Sequence, residues 1–145
     1  MFRTILFPTD GSSQTEKAIT VALDFARQVG GKIITLSVSE PYPFSPLSES
    51  AYAGGSEAYE RHSLEMAQTH VDEVASAATA AGIPCETMVV SSFDPHDEIT
   101  RIAEQKECDV IIMATHGRRG LSKLFAGSET QKVIAKTHIP VMVIR

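Results

Sequence analysis

The chain of 145 residues and 15.7 kDa is 43% hydrophobic and 21% charged, so one folded domain over residues 1–145 is expected. Thirteen Lys and Arg against 18 Asp and Glu give a formal charge of -5, which argues against a general nucleic-acid binder because the phosphate backbone rewards a basic surface. Cys85 and Cys108 stand in apolar runs away from zinc-finger spacing, no apolar run approaches about 18 residues, and the N-terminal apolar stretch is too short for a signal peptide. A reducing, cytoplasmic setting without a membrane partner is expected.

Thr4 to Thr9 is a short apolar run closed by Pro8-Thr9-Asp10-Gly11, as a buried strand would be. Ser13 and Glu16 have capping-box spacing, and Ala18, Ala22, Phe25, Ala26 and Val29 recur on one helical face until Gly30-Gly31. Lys32 to Ser39, with Ile33, Ile34, Leu36 and Val38, predicts a second strand. Glu40 to Ser56 carries Pro41, Pro43, Pro46 and Gly54-Gly55 and predicts a long loop. Leu64, Ala67, Val71, Val74 and Ala78 restore the helical period until Gly82 and Pro84.

Cys85 to Ser91 predicts a third strand, and Asp94-Pro95 an N-cap with a first-turn proline for a helix burying Ile99, Ile102 and Ala103. Cys108 to Thr115 is the expected fourth strand. A last helix of about three turns should carry Val133, Ile134 and His138, before a final strand over Pro140 to Arg145. Strands alternating with helices predict an α/β fold: a three-layer sandwich of five parallel strands with helices on both faces.

In such a sheet ligands bind beyond the carboxyl ends of the strands, where strand order reverses, which directs attention to the loops after strands 1 and 4. The second loop runs from Ala114 to Ser128 and holds Gly117, Gly120 and Gly127 with Arg118, Arg119 and Lys123 before Glu129, its first acid. Glycine admits a phosphate without a Cβ in the way, and a helix opening Ser128-Glu129-Thr130 aims N–H groups and two hydroxyls at an anion. The alternative is a surface loop with Ser128 as a plain helix cap. Asp10 reads equally as a turn residue or as a ligand contact. His116 faces either phosphate or solvent, and the loop cations either form a solvated cluster or steer nucleotide. His62, His70, His96 and His138 show no metal spacing and receive no role.

Three segments together resemble the universal stress protein family over nearly the whole chain: Pro8-Thr9-Asp10, Ala114-x2-Gly117-x9-Gly127-Ser128, and Pro140-Val141-Met142-Val143. The resemblance implies a Rossmann-like fold of the adenine nucleotide α-hydrolase type. It also implies an adenine nucleotide, usually ATP, across the ends of strands 1 and 4, with Mg or Mn carried by the phosphates. Gly117, Gly127, Ser128 and the backbone of Glu129 and Thr130 would hold the phosphates, Asp10 would lie near the ribose, and Val38 and Met113 would line the adenine pocket. Pro8, Thr9, Ala114, His116 and Arg119 complete the set.

Ala114 stands where the motif has glycine, which is tolerated in an extended backbone. Glu129 replaces a small apolar residue and would repel a triphosphate if it turned inward. The resemblance implies a stress-response regulator with at most weak ATP hydrolysis, and a homodimer through Val141 to Arg145. The competing function is a dimeric partner-binding module with a vestigial, non-binding site. An ATP-consuming enzyme, a phosphorylated receiver and a flavin carrier each lack their required residues in this sequence.

Overall fold

The computed structural model describes residues 1–43, 55–115 and 127–145. In chain order it has β1 (Thr4–Pro8), α1 (Ser13–Val29), β2 (Lys32–Ser39), α2 (Gly55–Ala80), β3 (Cys85–Ser91), α3 (Pro95–Gln105), β4 (Val110–Ala114), α4 (Ser128–Lys136) and β5 (Val141–Ile144). All strand pairs are parallel, in the order β3-β2-β1-β4-β5. The expected α/β sandwich is therefore present.

Alternation along the strands divides the core. Ile5, Phe7, Ile33, Val110 and Ile112 face Ala18, Ala22 and Ala26 of α1 and Val74 and Ala78 of α2. Leu6, Ile34, Leu36, Ile111 and Met113 face Ile99, Ile102 and Ala103 of α3 and Val133 of α4. Ile5, Leu6 and Phe7 have no exposed surface, and each such side chain stabilises by about 1.5–3 kcal/mol, which fixes β1 as the rigid support of the loop that follows it.

The chain runs outward from β1 through β2 to β3, then crosses with α3 on the opposite face to reach β4 on the other flank of β1. The reversal point is thus the gap between β1 and β4, as the alternating pattern led one to expect.

Several local expectations require correction. The N-cap of α1 is Ser12, not Ser13, and no side chain caps the helix. Ser12 is extended (φ -71°, ψ 162°) and its carbonyl accepts the Thr15 N–H at 3.0 Å, while the Ser13 hydroxyl donates to the Gln14 side chain. Helix α2 starts at Gly55, inside the expected loop, and its buried stripe begins at Ala67; Leu64 is 45% exposed. Helix α4 ends at Lys136, because Thr137 turns extended and its hydroxyl oxygen accepts the Ile139 N–H at 3.0 Å. His138 therefore lies beyond that helix, and Ile134 is 48% exposed.

Candidate functional site

The loop after β1 is built by its own polar groups. Thr9 is buried, donates its N–H to the Leu36 carbonyl at 2.9 Å, and accepts the Gly11 N–H on its hydroxyl at 3.2 Å. Asp10 Oδ1 accepts the Ser12 N–H at 3.0 Å and the Thr15 hydroxyl at 3.2 Å. The turn role of Asp10 is therefore real, and its carboxylate is oriented by the start of α1. Gly11 has φ +71°, a left-handed conformation natural to glycine.

The connection after β4 closes on itself. The Thr115 N–H donates to Ile144 O at 2.9 Å, its carbonyl accepts the Gly127 N–H, and the Thr130 hydroxyl donates to Ala114 O at 3.1 Å. The last two of these three bonds latch the first turn of α4 onto the end of β4, next to the β1 loop. Thr130 is only 3% exposed, so its hydroxyl hydrogen is committed to Ala114 rather than offered to an anion, which corrects one expected donor.

Gly127, and not Ser128, is the N-cap of α4; its φ of -52° and ψ of 150° suit any residue. Ser128, Glu129 and Thr130 occupy the first turn, where an α-helix leaves N–H groups without intrahelical partners. The dipole adds partial positive charge there. Ala114 sits in β4 paired with Ile144, so alanine is unstrained at that position.

Glu129 is turned toward α3. Its Oε2 accepts the His96 backbone N–H and faces His96 Nδ1, both at 3.1 Å, and Oε1 accepts from Lys132 Nζ at 3.2 Å. Asp97 bonds Lys136 Nζ, and that ammonium holds the Asp97 carboxyl below the usual carboxylate range. Asp94, His96 and Asp97 place ligand-type atoms within 4.8 Å of one another, the one such grouping among the described residues. His96 and Asp97 are already engaged by Glu129 and Lys136, so this group does not fit a built metal cage.

Of the other expected residues, Pro8 ends β1 opposite Leu36, Val38 is half-buried near the end of β2, and Met113 is buried near the end of β4. Val38 and Met113 both pack on the α3–α4 side. His116, Gly117 and Arg119, with Arg118, Gly120 and Lys123, lie outside the described residues. Tyr42 packs edge-on against Tyr59 of α2, with ring centroids 5.4 Å apart.

His70 was passed over in the sequence, yet it is buried and packs directly against Gly11. Its i+3 spacing from Ala67 and i+4 spacing to Val74 on the buried stripe was the available signal. Cys85 and Cys108 are free thiols with raised pKa; burial is the main cause in both and pushes Cys108 up to about 11. No helix among the described residues is long and apolar enough to cross a membrane.

Known proteins share this architecture. The universal stress protein family profile matches residues 1–145. The universal stress protein in the QAH/OAS sulfhydrylase 3′ region of Thermus aquaticus is 31% identical over the full length of both chains. The solved structure of MJ0577 from Methanocaldococcus jannaschii superposes with a TM-score of 0.80 at 28% identity, covering 99% of this chain and 96% of that one. A universal stress protein from Archaeoglobus fulgidus, solved in complex with dAMP, has the same fold, with a TM-score of 0.72 at 19% identity and full coverage of both chains. On the full-length profile match, this chain belongs to the universal stress protein family.

Proposed function

We propose that the chain binds an adenine nucleotide, ATP with Mg or Mn, across the β1 and β4 loops and acts as a stress-response regulator. One observation carries the reading: the first turn of α4 is latched to the end of β4 at the reversal point of the sheet, where its N–H groups and dipole suit a polyphosphate. The side-chain-free Gly127 leaves room for close approach, and Asp10 offers an oriented carboxylate to the ribose. The dAMP bound by the Archaeoglobus relative supports an adenine ligand. A divalent ion would be carried by phosphate oxygens and water, as magnesium commonly is.

Binding rather than turnover is the proposed output, with hydrolysis slow at most. The sheet order also supports the proposed homodimer, because β5 lies at an edge and its outer backbone groups suit pairing with a second copy through Val141 to Arg145. The competing reading, a partner-binding module with a vestigial site, draws on the same edge strand.

The test extracts nucleotide from protein purified without added ligand, then titrates ATP, ADP and AMP with Mg or Mn by calorimetry. Retained or micromolar-range adenine nucleotide supports the proposal. No binding at millimolar nucleotide supports the vestigial module instead. Phosphate release under multiple turnover and light scattering check the hydrolysis and dimer proposals.

A further inference from the structure

We propose that His96 is a positioning residue for the phosphate site: by gripping Glu129, it keeps a carboxylate in the first turn of α4 directed at α3 and away from a bound polyphosphate. The inference rests on the nucleotide reading above and assigns a role to a histidine outside the binding loops.

An acid at this position presents a conflict. A carboxylate in the first turn is favoured by the helix dipole, but a polyphosphate seeks the same positive end. Two unit charges about 6 Å apart in a half-exposed site repel by enough to change affinity severalfold. The structure resolves the conflict through α3. Glu129 Oε2 receives the His96 N–H from the first turn of α3 and faces the imidazole Nδ1, while Oε1 receives Lys132.

An ionised carboxylate only accepts hydrogen bonds, so Nδ1 carries a hydrogen and donates it. On the other side of the ring, His96 Nε2 lies 3.5 Å from Asp97 Oδ1, and Asp97 bonds Lys136 at the far end of α4. Two separate contacts, Glu129 with His96 and Lys136 with Asp97, thus tie the two ends of α4 to the start of α3. The His96 side chain is 18% exposed and that of Glu129 39%.

The test compares wild type, His96→Leu, His96→Asn and the double variant His96→Leu/Glu129→Gln by calorimetric titration of ATP and of uncharged adenosine at low salt. His96→Leu should weaken ATP binding about three- to tenfold, with adenosine affinity unchanged, because only a charged ligand senses a carboxylate that has lost its imidazole contact and keeps only the backbone N–H and Lys132. His96→Asn, which can donate an amide hydrogen from a similar place, and the double variant should restore ATP affinity. If leucine prevents folding, His96→Ala takes its place.

Wild-type protein that fails to bind ATP defeats the nucleotide reading and this inference together. Wild type that binds while His96→Leu binds equally well overturns the positioning role alone. Equal losses for ATP and adenosine also overturn it, since they indicate a general structural role.

Discussion

The imidazole of His70 fills the space where a side chain on Gly11 would project: a Cβ there would lie 2.2 Å from His70 Cδ2 and 2.3 Å from Nε2. Helix α2 thereby braces the loop between β1 and α1. The two residues are 59 positions apart in the chain, and the contact joins the long helix to the turn that orients Asp10.

Gly11→Ala should lower stability on two counts. The left-handed backbone costs about 1–2 kcal/mol for a residue with a Cβ, and the buried ring must move as well. Urea denaturation should show a reduced midpoint, and adding His70→Ala should recover only the steric part. An unchanged midpoint for Gly11→Ala would show that the ring yields freely and that the turn is not braced.

Gly127→Val should remain folded and lose ATP. The backbone at Gly127 is in a region open to valine, and its N–H can still reach the Thr115 carbonyl. The added side chain would occupy the space proposed for a phosphate. Circular dichroism and calorimetry on the same sample check both halves, and normal ATP affinity would show that the phosphates lie elsewhere.

Thr130→Val should destabilise by about 1–3 kcal/mol, because it keeps the shape but strands the Ala114 carbonyl without its hydroxyl donor. Thr130→Ser, which restores a hydroxyl, should recover most of the loss. Equal denaturation midpoints for wild type and the valine variant would contradict a latch at this point.

The thiols should be unreactive in the native state near pH 8. Burial disfavours the Cys108 thiolate, and Asp109 adds to the effect, raising its pKa from 9.0 to about 11. The unfolded chain ionises this group more readily, so its contribution to stability is fully present below pH 9.0 and is lost as pH rises toward about 11. Alkylation should be slow until denaturant is added, with a stability decline above pH 9.0 that Cys108→Ala reduces. Rapid native labelling of Cys108 would show that the connection leading into β4 opens.

Much of this architecture was legible because burial repeats. The apolar, β-branched run Lys32–Ser39, buried along nearly its whole length, and the helical stripe through Ala67, Val71, Val74 and Ala78 encode what is covered, and the succession of strands and helices implied a parallel sheet. Helix starts were less legible, since they depend on which of several adjacent polar groups wins a local competition. Ser12 displaced Ser13 because Asp10 and Thr15 organise the turn around it. The His70–Gly11 and His96–Glu129 contacts span long sequence separations, and no local pattern announces them. The likeness of the β4 loop to a known motif suggested the ligand class proposed here, whereas the Thr130 latch and the orientation of Glu129 required coordinates.

The most direct test of the nucleotide site is an amide NMR titration with ATP and Mg. The account predicts that the Ser128, Glu129 and Thr130 N–H resonances shift most strongly and saturably, since phosphate oxygens would accept from them, and that Gly127→Val abolishes these shifts. Resonances at the start of α4 that stay fixed at millimolar ATP, or shifts concentrated far from the β1 and β4 ends, would contradict it.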